Sequence, residues 1–188
     1  SYHNMPVIEE HYGDYGILTK AMKTFGPELD NFVVSVYESG ENKRPENLWG
    51  VECNSHFKSK LITESRPNVI SFYFPNHVIY FEGYQIIGHE SPNLHNWCVG
   101  ITPDATNEGI IVHKMKKVTL KDKGYYNFDI KDLDKKQRFC RIIRFFGLDK
   151  EFSFTRIDFF GIAIPAEYQD LKPIQIHKCP YPSIIDSE

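Results

Sequence analysis

Residues 67–81, PNVISFYFPNHVIYF, and residues 139–164, which contain FCRIIRFFG and FTRIDFFGIAI, decide the fold of this chain. Both segments are dense in β-branched and aromatic residues, which favour extended strands. Pro75 and Asn76 interrupt the first segment and predict a turn between two strands. Together with residues 94–99, these segments predict the inner strands of one β-sandwich.

Shorter elements surround these strands. Residues 15–25 predict a single helix, because their apolar side chains recur on one helical face. Asp14 is the predicted N-cap, and Gly26 followed by Pro27 ends the helix. Further short strands separated by turn residues predict an all-β fold of about eight strands. The predicted division is a polar, irregular extension over residues 1–14, the sandwich with its leading helix over residues 15–164, and a Pro-rich tail over residues 165–188.

The composition narrows the class of protein. Apolar residues make up 41% of the 188 residues and aromatic residues 14%, which is enough for one sizeable core. The net charge of −3 and the pI of about 6.2 predict no general attraction to nucleic acid or to anionic membranes. No apolar run reaches the roughly 18 residues of a membrane span, and the first residues do not resemble a signal peptide.

The cysteines favour a reducing compartment. Cys53, Cys98, Cys140 and Cys179 have no C-x-x-C spacing, which argues against a zinc site. Cys98 and Cys140 lie in apolar, strand-like runs and are predicted to be buried thiols. A cytoplasmic location is therefore expected, with neither a metal nor another cofactor.

Motifs for catalysis are missing from the sequence. There is no Gly-x-Ser-x-Gly, His-Glu-x-x-His or phosphate-binding Gly-Lys-Ser/Thr motif. Cys53 and His56 lie three residues apart on a predicted loop and make a poor nucleophile and base. A turn with Asp104, Asn107 and Glu108 offers oxygens that suit calcium, which is an open alternative to a plain turn. We therefore expect a binding protein rather than an enzyme.

Six segments, taken in order, resemble a known family. They are residues 16–25, the Pro-x-Asn of residues 45–47, ISFYF at 70–74, HNWCVG at 95–100, the Arg-rich residues 138–147, and IDFFG at 157–161. Their order and spacing resemble discoidin domains, also called coagulation factor V/VIII type C domains, of the galactose-binding-like superfamily. The divergent versions in intracellular proteins of protists are the most similar. The resemblance implies a discoidin-like jelly-roll β-sandwich with a short N-terminal helix.

The chain also departs from this family. Ile111 and Val112 stand where many members have a second Trp, and no cysteine precedes Cys53 to join the two ends of the domain by a disulfide. Both departures weaken the interpretation as a secreted lectin.

Two sets of residues are the candidate binding groups. Trp49 and His56 lie in the polar residues 45–59, where the resembling family places ligand-contacting loops, whereas Trp97 is predicted to be part of the core. Lys114, Lys116 and Lys117 belong to a basic run that suits either a solvated strand edge or an acidic protein surface such as tubulin.

The sequence therefore predicts a non-enzymatic module that docks to a protein assembly. A cytoskeletal or axonemal assembly, with microtubules as the specific partner, is the first hypothesis. The alternative is a carbohydrate-binding, lectin-like module with a pocket at Trp49 and His56. A structural ion pair of Arg141 or Arg144 with an acid such as Asp158 is also expected.

Overall fold

A computed structural model of the chain describes residues 5–45, 48, 55–104, 106–166, 182 and 184. These residues contain one α-helix, α1 (Ile17–Phe25), and 3-10 turns at Gly26–Asn31 and Lys135–Arg138. They also form strands β1 (Ile8–Glu10), β2 (Val34–Tyr37), β3 (Phe57–Lys58), β4 (Asn68–Tyr73), β5 (His77–Gly88), β6 (Trp97–Thr102), β7 (Ile110–Met115), β8 (Tyr125–Asp129), β9 (Phe139–Cys140), β10 (Ile142–Gly147) and β11 (Ser153–Pro165). None of the helices in the described part of the chain is long and apolar enough to cross a membrane.

The strands form two antiparallel sheets that face each other. The first sheet has the order β1-β11-β5-β8, with β3 also paired to β11 and β9 to β5. The second has the order β2-β4-β10-β6-β7. Eight of the described strands are four residues or longer, so the predicted all-β sandwich of about eight strands is confirmed. The predicted turn at Pro75 and Asn76 carries the chain from β4 in the second sheet to β5 in the first.

Alternating side chains of both sheets close over one core. The rings of Phe72 on β4 and Phe159 on β11 meet edge to face, with centroids 4.9 Å apart. Trp97 is fully buried, and the thiols of Cys98 and Cys140 are buried as predicted. Burial raises the pKa of the Cys140 thiol, which is therefore a poor nucleophile at neutral pH.

The N-terminal segment is more regular than the sequence predicts. Ile8–Glu10 forms β1, which pairs with β11 in the register Ile8 to Ala163, and Ile8 is buried in the core. The predicted domain boundaries stay a prediction, but part of the presumed irregular extension is an edge strand of the first sheet.

The cap of α1 is also different from the one predicted. Asp14 lies before the helix, and the N-cap position is Gly16. The groups that begin the helix donate to the buried carboxylate of Asp158 on β11. Its oxygens accept hydrogen bonds from the Gly16 N–H (2.8 Å), the Leu18 N–H (2.8 Å), the Thr19 N–H (3.3 Å) and the Thr19 hydroxyl (2.7 Å). Tertiary structure thus supplies a cap that the local sequence lacks.

Asp158 is therefore not the acid that pairs with an arginine, and the expected ion pair of Arg141 or Arg144 with an acid stays a prediction. The Arg144 guanidinium donates to the hydroxyls of Ser71 (3.1 Å) and Thr102 (3.3 Å) on the outer side of the second sheet. Arg141 donates to the carbonyl of Pro75 at 2.8 Å. Both guanidiniums tie neighbouring strands and turns together.

One glycine allows a close approach inside the first sheet. The pairing of β11 with β5 shifts register between Phe160 and Gly161. Gly161 has a φ of +139°, and a Cβ there would lie 1.9 Å from the Tyr80 carbonyl oxygen. Only glycine fits this bulge without displacing the neighbouring strand.

Candidate functional site

The connections at one end of the sandwich form the candidate site, which we call the loop end. The register places Ser153 of β11 against Lys58 of β3, and Gly147 of β10 against Trp97 of β6. The same end therefore gathers the described parts of the connections at residues 38–45, 59–67, 89–96, 116–124 and 148–152. The last residue of β11, Pro165, pairs with His77 at the opposite end.

Two imidazoles stack at the loop end. The rings of His56 and His89 are 3.9 Å apart between centroids and within 9° of parallel. His56 is exposed and His89 is half-buried. The predicted candidate His56 is thus a flat, exposed ring that is supported on one face by a second ring from the β5–β6 connection.

The hydrogen bonds of His89 fix its orientation. Ser153 donates its hydroxyl proton to the carbonyl of Pro92 (2.8 Å), so it accepts from the Nδ1–H of His89 (2.9 Å). In the neutral ring, Nε2 of His89 is then left as an acceptor. The ring that supports His56 is therefore held in one orientation by the start of β11.

An open pocket of about 400 Å³ is lined by both residues of β3, Phe57 and Lys58, which directly follow His56 in the chain. Its floor includes Tyr37 and Phe57, which are buried, and its rim carries polar and charged side chains: Glu41, Asn42, Lys58 and Lys60. The Tyr37 hydroxyl accepts from the Lys60 N–H at 2.9 Å and donates to Asn68. Apolar rings below and hydrogen-bonding groups around the rim are the usual elements of a small-ligand site.

Gly40 determines how close the pocket loop approaches its floor. A Cβ on Gly40 would lie 2.3 Å from a ring carbon of Tyr37. The backbone of the loop therefore rests directly on the tyrosine ring, which fixes one wall of the pocket.

Trp49, the other predicted aromatic of the site, lies outside the described residues. In the sequence it directly follows Leu48, whose side chain is buried. The contribution of Trp49 to the pocket stays a prediction.

The basic residues lie on a neighbouring part of the loop end. We call His113–Lys123 the basic strip; it runs from β7 into the β7–β8 connection. Lys114 and Lys117 are exposed and Lys116 is half-buried. Lys117 has a φ of +54°, and its N–H donates to the Asn96 side-chain oxygen at 2.9 Å.

A buried chain of hydrogen bonds holds the start of the strip. The Trp97 indole N–H donates to the Tyr84 hydroxyl (2.8 Å), and the same hydroxyl is hydrogen-bonded to Nδ1 of His113 (2.6 Å). Burial lowers the pKa of His113, which favours the neutral ring. The edge strand β7 is thereby fixed to β5 across the sandwich.

The turn considered for calcium uses its oxygens locally. Asp104 accepts from the N–H (2.8 Å) and hydroxyl (2.7 Å) of Thr106, and the Asn107 side-chain oxygen accepts from the Gly109 N–H at 2.8 Å. Within the described residues, no group of three or more His, Cys, Asp and Glu is placed to hold a metal ion.

The sequence does not show which residues of this site lie together. His56 and His89 are 33 positions apart, and their spacing specifies nothing until the strand register is known. Lys58, Lys60 and Asn42 are ordinary surface types that the pocket alone brings together.

Comparison with known proteins identifies the fold. No family model matches the sequence, and no curated protein matches it. Among solved structures, the domain CpGH89CBM32-6 from Clostridium perfringens matches with a TM-score of 0.53 at 12% identity, over 69% of this chain and 93% of that chain. An F5/8 type C domain from Bacteroides fragilis matches with a TM-score of 0.53 at 9% identity, over 71% of this chain and 91% of that chain.

A third similar structure was solved with a bound sugar. CpGH89CBM32-5 from Clostridium perfringens, in complex with GalNAc-β-1,3-galactose, matches with a TM-score of 0.51 at 9% identity, over 69% of this chain and 94% of that chain. The chain therefore has the discoidin-like, galactose-binding-like fold that its sequence motifs predict. The intracellular protist version of the family stays a prediction.

Proposed function

We propose that this chain is a carbohydrate-binding module that binds a sugar at the loop end. The observation that carries the proposal is the exposed ring of His56, which is stacked at 3.9 Å on His89 and directly precedes the two β3 residues that line a pocket of about 400 Å³. A flat ring beside hydrogen-bonding side chains suits a sugar, which has both an apolar face and polar edges.

The comparisons support this proposal. The similar CBM32 domains are carbohydrate-binding modules, and one of them holds GalNAc-β-1,3-galactose. The chain matches such modules over most of their length, and we propose no catalytic step for it. Binding and orientation by side chains on a rigid sandwich are sufficient for this function.

The first test is a screen of the purified protein on a glycan array, followed by calorimetric titration of the best sugar. We expect the substitution His56→Ala to weaken binding about three- to tenfold, since an aromatic contact contributes about 0.5–1.5 kcal/mol. We expect Trp49→Ala to weaken binding further if the predicted role of Trp49 is correct.

The matched control is His11→Ala. His11 is an exposed histidine on the N-terminal segment, where its ring contacts Glu9 and Glu82 rather than the loop end. Unchanged affinity in the His56→Ala variant, or equal losses in both variants, would contradict the proposed site. Absence of binding to any sugar on the array would contradict the proposed function.

Docking to a cytoskeletal assembly is the second proposal, and it rests on the exposure of Lys114 and Lys117. The comparisons give no support for association with microtubules. Co-sedimentation with microtubules, repeated with Lys116→Glu combined with Lys117→Glu, tests it. Sedimentation that does not weaken with these changes and with added salt would rule out docking through the strip.

A further inference from the structure

The basic strip has an unusual concentration of charge for an acidic protein. Residues 113–123 contain five lysines and one carboxylate, Asp122, in a chain whose net charge is −3. All of these residues are described. Lys114, Lys117, Lys121 and Lys123 are exposed, and none of them forms an ion pair with a carboxylate of the described residues.

The backbone that carries these lysines is held in place by its neighbours. The Lys117 N–H donates to Asn96 (2.9 Å), and the Lys123 N–H donates to the Gly88 carbonyl (2.9 Å). Nδ1–H of His95 donates to the Val118 carbonyl at 2.6 Å. These polar backbone groups are thus turned toward the sandwich, while the side chains of Lys117 and Lys123 are exposed.

Two of the lysines occupy left-handed backbone conformations. Lys117 has a φ of +54° and Lys123 a φ of +61°, a region that favours glycine. A lysine keeps such a conformation only where the surrounding contacts enforce it. The strip is therefore a preorganised set of charges rather than a flexible tail.

Residues 113–123 themselves have little exposed apolar surface. Leu120 is buried, and Met115 and Val118 are half-buried, so the strip exposes no large hydrophobic side chain. Specific protein interfaces have a desolvated, apolar or aromatic centre within a polar rim. A polyanion, in contrast, can bind through charge alone.

An exposed aromatic ring lies beside the charges. Tyr125, two residues after Lys123, is 54% exposed, and the Arg156 guanidinium lies 5.8 Å from its ring centroid. An aromatic face next to a row of ammonium groups suits a sugar chain that carries anionic substituents.

We infer that the basic strip and Tyr125 bind a sulfated linear polysaccharide, an inference that rests on the proposed carbohydrate-binding function. Highly sulfated chains such as heparin carry more negative charge per sugar than polyuronates do, and they match a surface with five lysines in 11 residues. The strip would act as a second subsite, which would give the loop end a preference for acidic glycans.

The test measures binding of a heparin oligosaccharide by calorimetry at about 0.05 M and about 0.5 M NaCl. We expect the affinity to fall steeply with salt, and the substitution Lys117→Glu with Lys121→Glu to weaken it roughly tenfold or more. The matched control is Lys135→Glu with Lys136→Glu, which reverses two exposed lysines of a 3-10 turn outside the loop end. This control should bind heparin like the unchanged protein. Thermal unfolding of each variant confirms that it is folded.

Other polymers distinguish the alternatives. If the protein binds polygalacturonate more tightly than heparin, the choice of a sulfated chain is wrong. If it binds poly-glutamate or single-stranded DNA as tightly as heparin, the choice of a polysaccharide is wrong. Equal heparin affinity in the Lys117→Glu, Lys121→Glu variant would overturn the strip as the site.

The same measurements distinguish a failure of this inference from a failure of the proposed sugar-binding function. Loss of heparin binding in His56→Ala, with no loss in the strip variant, would assign the polymer to the pocket and contradict the inference. Neutral sugar binding that persists through His56 while heparin fails to bind would contradict only the inference.

Discussion

Replacement of Asp158 by alanine should destabilise the protein strongly, although Asp158 lies far from the loop end. Its carboxylate is fully buried and accepts hydrogen bonds from the backbone N–H groups of Gly16, Leu18, Thr19 and Phe159, and from the Thr19 hydroxyl. Burial raises the pKa of the carboxyl group, and these hydrogen bonds oppose the rise. One side chain thus satisfies the donors at the start of α1.

The magnitude follows from the donors left without a partner. A buried donor that loses its acceptor costs about 1–3 kcal/mol, and loss of a helix cap alone costs about 0.5–2 kcal/mol. Water that enters the vacated space restores part of the hydrogen bonding. We therefore expect Asp158→Ala to lower the free energy of unfolding by about 3–5 kcal/mol, a large part of the 5–15 kcal/mol that is typical of a domain.

Urea unfolding at neutral pH, followed by the fluorescence of the buried Trp97, measures this loss. The control is Asp14→Ala, because Asp14 is the cap predicted from local sequence and its exposed carboxylate does not cap the helix. We expect Asp14→Ala to change the free energy by less than about 0.5 kcal/mol. Asp158→Asn should be intermediate, since its single amide oxygen accepts while its NH₂ group faces other donors. A loss of 1 kcal/mol or less in Asp158→Ala, similar to that of Asp14→Ala, would refute the assignment of Asp158 as the cap.

Three further changes test the interior. Tyr84→Phe leaves the buried N–H of Trp97 without its acceptor and should cost about 1–3 kcal/mol in urea unfolding, and no measurable loss would contradict the hydrogen-bond chain. Burial lowers the pKa of His113 from its ordinary 6.5, so as the pH falls below that value the unfolded chain takes up a proton at His113 more readily than the folded protein, and the free energy of unfolding declines. His113→Gln should therefore lose less of this free energy between about pH 7 and pH 5 than the unchanged protein. The same pH dependence of stability in both proteins would contradict the burial of a neutral His113. Gly161→Ala brings a Cβ to 1.9 Å from the Tyr80 carbonyl oxygen at a φ of +139° and should lower the free energy of unfolding by about 3 kcal/mol or more. A variant as stable as the unchanged protein would show that the bulge can accommodate a side chain.

The candidate site could be predicted only in part from the sequence. His56 could be predicted as a candidate because it is a polar aromatic residue in a connection between predicted strands, and the loops of a β-sandwich carry most of its ligand-contacting residues. His89 could not be assigned to it, since the contact depends on the register that sets Phe154 of β11 between β3 and β5. The basic strip was visible as a run of lysines, but its fixed backbone and its small exposed apolar surface required the structure.

The sequence by itself determined the sandwich, the helix before its first long strand, and the burial of Trp97 and of the thiols of Cys98 and Cys140. Hydrophobic periodicity and residue type act locally and specify which face each strand buries. Tertiary structure decided which distant groups meet. Asp158 caps a helix that begins about 140 positions earlier in the chain, a contact that the local sequence around residue 14 cannot encode. The reason is physical: a buried donor takes whichever acceptor the fold brings within hydrogen-bonding distance, and sequence spacing does not record that distance.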